Sequence, residues 1–83
     1  MAIKRSPDYG VLQRIVDDAF RHGNKTVSRL DVIVLGETYD LPADVTEILE
    51  LLPPGTYTRV RLCQQINSSI NGHAWGLVYG TVE

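Results

Sequence analysis

Residues 6–23 read Ser6-Pro7-Asp8-Tyr9-Gly10-Val11-Leu12-Gln13-Arg14-Ile15-Val16-Asp17-Asp18-Ala19-Phe20-Arg21-His22-Gly23, and their periodicity sets the fold class. Ser6 is an N-cap candidate, Pro7 suits the first helical position, and Asp8 is favoured by the helix dipole. Val11, Leu12, Ile15, Val16, Ala19 and Phe20 recur at the spacing of one helical stripe. Arg14, Asp17, Asp18 and Arg21 fall largely on the other side, where Arg14 can pair with either aspartate. His22 and Gly23 supply a last turn and a C-terminal glycine, so the spacing predicts a helix over 7–22.

Moving outward, Ser28-Arg29-Leu30-Asp31 can open a second helix with Ser28 as cap, placing Val27, Leu30, Ile33 and Val34 on one face. The β-branched run Val32–Leu35 before Gly36 also fits a short buried strand. The Leu30-to-Val34 spacing and the short connections on both sides favour helix. A third helix starts at Asp40-Leu41-Pro42, with Asp40 or Leu41 as cap, Pro42 in the first turn and Asp44 among the early acids. Its stripe is Val45, Ile48, Leu49 and Leu52, with Glu47 and Glu50 in water; Pro53-Pro54-Gly55 stops it. Thr56 or Thr58 caps a fourth helix through about Ile70. Its stripe is the Arg59 stem, Leu62, Cys63, Ile66 and Ile70, and Asn71-Gly72 ends it. Ala74–Val82 alternates as a strand does, and would pair with Ala2-Ile3-Lys4, with Val32–Leu35 or with another chain. The expected fold is mostly α: a bundle of about four short helices with a C-terminal β-strand or hairpin-like tail, in one domain over 1–83.

Composition narrows the function classes. Eighty-three residues allow one core, and 43% apolar with 22% charged residues is globular rather than disordered. Ten acidic against eight basic residues leave a net charge of −2, which argues against a protein that coats nucleic acid or anionic membrane. One cysteine excludes an intrachain disulfide and, with two histidines, a Cys-rich zinc site. No apolar run fits a signal peptide or a bilayer span, so a cytoplasmic location is expected.

Ser28-Arg29-Leu30, Leu41-Pro42-Ala43-Asp44-Val45, Leu49, Leu52-Pro53 and Tyr57 together resemble a small bacterial helical domain family of unknown function. Its members carry a capped helix, an apolar-Pro-x-x-Val opening of a second helix, and an L-P-x-x-x-Y connector to a third. The resemblance covers residues 28–66 and loosens after Tyr57, where Thr58-Arg59-Val60-Arg61 stands in place of an acidic, proline-containing start. It implies a compact helical module and a helix over 28–38. It carries over no activity and no catalytic residue.

The residues themselves point away from catalysis. Cys63 lies in an apolar stripe, and Arg59 at i−4 can lower a thiol pKa but is not a general base. The carboxylates are scattered, and no glycine-rich phosphate loop is present. No cofactor or metal is expected. Tyr57, His73, Trp75 and Tyr79 are candidates for an interface, because aromatic side chains with polar handles dominate binding hot spots. The leading expectation is therefore an interaction or adaptor module without its own chemistry, binding a protein partner or itself as a homo-oligomer. The alternative is a nucleic-acid-binding accessory or transcriptional regulator reading bases through Arg59, Arg61, Gln64 and Gln65, with Arg14, Arg21, Lys25 and Arg29 near phosphates. An enzyme comes third.

Overall fold

The computed structural model describes residues 9–72 and 79–83. Four helices account for most of them: α1 (Val11–Ala19), α2 (Arg29–Glu37), α3 (Ala43–Glu50) and α4 (Arg59–Gly72). Two short strands, β1 (Val27–Ser28) and β2 (Thr56–Tyr57), pair antiparallel with Val27 opposite Tyr57 and Ser28 opposite Thr56. The mostly α reading is borne out, and Val32–Leu35 is helix rather than strand.

Each helix end has a local cause. α1 begins later than the sequence suggests: Gly10 takes a left-handed conformation (φ 86°), available to glycine at no steric cost, and Val11 starts the helix. The proposed Ser6-Pro7-Asp8 start lies outside the described residues. At the other end α1 stops at Ala19, and 20–22 form a turn rather than more helix. α2 opens on a capping box, in which the Ser28 hydroxyl accepts from the Asp31 amide and the Asp31 carboxylate accepts from the Ser28 amide, both at 3.0 Å. Asp40 does not cap α3. It turns the chain in a left-handed conformation (φ 51°), and Pro42 stands at the N-cap position. Thr58, the second of the two candidates, accepts from the Arg61 amide at the head of α4 (3.2 Å).

The two-residue ladder was not legible as strand, yet it organises the fold. It lies just before both α2 and α4, and because it is antiparallel the two helices leave from its opposite ends. Arg29 extends this junction: its amide donates to the Gly55 carbonyl (3.0 Å). Its guanidinium donates to the carbonyls of Leu52 (2.7 Å) and Glu50 (2.9 Å), groups that the end of α3 leaves without helical partners.

The core is formed by Val11, Leu12, Ile15, Val16 and Ala19 of α1, Val45, Ile48 and Leu49 of α3, and Leu62, Cys63, Ile66 and Ile70 of α4. The stripes predicted for α1, α3 and α4 are the buried ones, apart from two partial exceptions: Phe20 is half-buried, and Arg59 is half-exposed and paired with Asp17.

Residues 79–83 do not form the expected strand; Tyr79 is helical and 80–83 follow without regular structure, while Ala74–Val78 lie outside the described residues. Side-chain amides satisfy this segment's backbone. Asn67 donates to the Val82 carbonyl (2.9 Å) and accepts from the Val82 amide (2.8 Å). Gln13 does the same for Glu83, at 2.8 and 2.9 Å. With the Val82 side chain buried, the segment is held between α1 and α4.

Candidate functional site

α2 is where sequence and structure part company. Of the expected face, Leu30 and Val34 are turned away from the core while Ile33 is half-buried and packs against it, and the buried positions of the helix are Val32 and Gly36. Residues two apart lie about 200° round a helix, so the two faces are opposed. Leu30 is 67% exposed and Val34 51%. The reason is visible at Gly36: a Cβ there would lie 2.6 Å from Leu49 Cδ1 and 3.3 Å from Leu41 Cδ1. The glycine side of α2 lets the helix come this close to α3, and with that side inward Leu30 and Val34 face outward.

Beside this face, α2 and α3 enclose a cleft of about 240 Å³. Ile33, Gly36, Leu41 and Leu49 give it apolar walls, and Glu37, Asp40 and Glu50 stand on it as carboxylates. Charge is segregated on a larger scale as well. Between residues 30 and 52 the chain carries Asp31, Glu37, Asp40, Asp44, Glu47 and Glu50, with no Lys, Arg or His. All eight Lys and Arg residues lie outside this span. The segregation could have been read from the sequence. The outward turn of Leu30 and Val34 could not, because α2 has apolar residues on all sides.

Of the four predicted interface residues, Tyr57 and Tyr79 are among those described. Tyr57 is buried, its hydroxyl donating to the Pro53 carbonyl and so bracing the turn before β2. Tyr79 is also buried, with its hydroxyl 3.4 Å from Asp44 Oδ2. His73 and Trp75 lie outside the described residues. On the basic side, Arg59 pairs with Asp17 and donates to the Glu83 main-chain oxygen, while Arg21 pairs with Asp18. With Arg29 committed to α3, three of the arginines considered for phosphate or base contact are engaged within the fold. Arg61 and Gln64 are exposed and Gln65 half-buried.

Cys63 is buried, and that burial pushes its thiol above the ordinary range; Asp17 and Glu83 add to the effect and Arg59 opposes it. A protonated thiol is a poor nucleophile. A second hollow of about 320 Å³ opens beside it, lined by Arg59, Val60, Gln64, Asn67 and Glu83. Among the described residues no group of three or more His, Cys, Asp or Glu side chains could hold a metal ion. Nor is any helix among them long and apolar enough to cross a membrane.

Comparisons of the chain with family models, curated proteins and solved structures return no match.

Proposed function

We propose that this chain is a small protein-interaction module, without chemistry of its own, that receives a partner on the outer face of α2 and the adjoining α2–α3 cleft. The observation that carries the reading is the exposure of Leu30 and Val34, one turn apart on the same helix face and beside an apolar-walled cleft. A single exposed apolar side chain needs no explanation, but a leucine and a valine at i, i+4 next to a cleft form an anchor for a partner side chain. Covering both would gain about 1–2 kcal/mol each, given how much of each is already buried. The buried, protonated thiol supports a binding role over nucleophilic catalysis. Tyr57 and Tyr79 then serve the frame that presents the face.

The test is affinity capture from the native host with nuclease present, comparing the natural chain with a Leu30→Ser/Val34→Ser variant. Both positions are exposed, so the variant should keep its helical circular dichroism. The expected result is a protein partner retained by the natural chain and lost by the variant. Identical capture by both, or capture that nuclease abolishes, would sink the reading.

A further inference from the structure

Resting on that reading, we infer that the occupant of this face is a cationic amphipathic helix. It would place leucine-sized side chains against Leu30 and Val34 and in the cleft, and Lys or Arg opposite Glu37, Asp40 and Glu50.

Three observations select this occupant. The first is charge: the face belongs to a span with six carboxylates and no cation, so complementarity calls for a basic partner and repels nucleic acid. The second is shape. Docking by strand addition needs a sheet edge, and the strands among the described residues are two residues long. A helix face beside a short cleft fits the helix-in-groove mode instead, with anchors at i, i+3, i+4 and i+7. The third concerns a second copy of this chain. A two-fold pairing centred on the cleft would bring its three carboxylates, Glu37, Asp40 and Glu50, near their own images. A head-to-tail pairing would have to draw on Arg14, Lys25 and Arg61, since Arg21 and Arg59 pair with Asp18 and Asp17 and Arg29 holds the end of α3. Those three are exposed but stand on α1, the loop after it and α4 rather than on one helix. A separate basic helix meets neither obstacle.

The probe is a labelled synthetic helix of about 18 residues, with leucines at i, i+3, i+4 and i+7 and lysines elsewhere, titrated with the full chain by fluorescence anisotropy. One control replaces its lysines by glutamates, and another scatters its leucines. The lysine helix should bind saturably, and both controls should bind about tenfold more weakly or worse. Leu30→Ser/Val34→Ser should weaken it about tenfold, through lost apolar burial. Glu37→Gln/Asp40→Asn/Glu50→Gln should do the same while flattening the salt dependence; asparagine tolerates the left-handed conformation at position 40.

Equal binding of the scattered-leucine peptide would reduce the effect to bulk charge and overturn the inference. So would binding indifferent to the acid substitutions. A homodimer in sedimentation equilibrium that Leu30→Ser/Val34→Ser disperses would assign the face to a second copy. Host capture separates the two levels of failure. If the acid variant retains the partner that the Leu30/Val34 variant loses, the interaction module stands and its basic occupant does not. If both variants retain it, both readings fall.

Discussion

Ser28 shows how much one side chain decides. Its hydroxyl and amide both bond to Asp31, so removing the hydroxyl frees the start of α2 and loosens the junction with β1. Ser28→Ala should cost about 1 kcal/mol in chemical denaturation. The same contact depends on pH. The Ser28 amide, and then its hydroxyl, hold the Asp31 carboxyl below the ordinary carboxylate range. Stability from a lowered pKa is complete above the unfolded value, near 4, and is lost as pH falls through the folded one. Asp31→Ala should therefore be less stable than the natural chain at neutral pH, with the gap closing towards pH 2, as thermal melts across that range would record. Asp17, held low by Arg59 and then by Gln13, adds to the acid loss in the same direction. Caps such as Ser28 and Thr58 were readable because their chemistry spans three residues. Asp40 is ambiguous in sequence because an aspartate before a helix fits a cap and a left-handed turn equally well.

Among the elements, α2 is joined closely to α3, and Arg29 is one fastening between them. Arg29→Met keeps the stem and removes both bonds to the Glu50 and Leu52 carbonyls. Charged hydrogen bonds of this kind contribute about 1.5–3 kcal/mol, so the loss should appear as a lower denaturation midpoint with an unchanged slope. The other stripes were legible because α1, α3 and α4 alternate apolar and polar faces. α2 does not, and its sequence alone allows either face to pack. What settles the choice is Gly36 against Leu49, a contact between residues thirteen apart that no local pattern records. The candidate site was thus hidden at the described helix whose period is ambiguous, while of the interface expected from Tyr57, His73, Trp75 and Tyr79 the two tyrosines are buried and the other two lie outside the described residues.

Over the whole molecule, the distribution of charge could be counted from the sequence, but the path of the last residues could not. An alternating Val-Tyr-Gly-Thr-Val pattern suggests a strand. Here the backbone partners of 82 and 83 are the side chains of Asn67 and Gln13, a substitution for a sheet that leaves no periodic trace. Asn67→Ala would strand the amide and carbonyl of Val82 together. A loss of about 1–3 kcal/mol is expected, with amide hydrogen exchange at Val82 rising before that of the core helices. These tail contacts have a bearing on how the protein is made. Gln13 bonds to a residue 70 positions later, and Gly10 to Tyr79 (3.0 Å). At about 5–20 residues per second, a ribosome needs roughly 4–14 s to deliver that partner after Gln13 has been added. During that interval the apolar face of α1 has no Val82 to cover it, so the nascent chain passes through a stage that chaperones, or a neighbouring chain on the same messenger, can reach and the finished protein cannot.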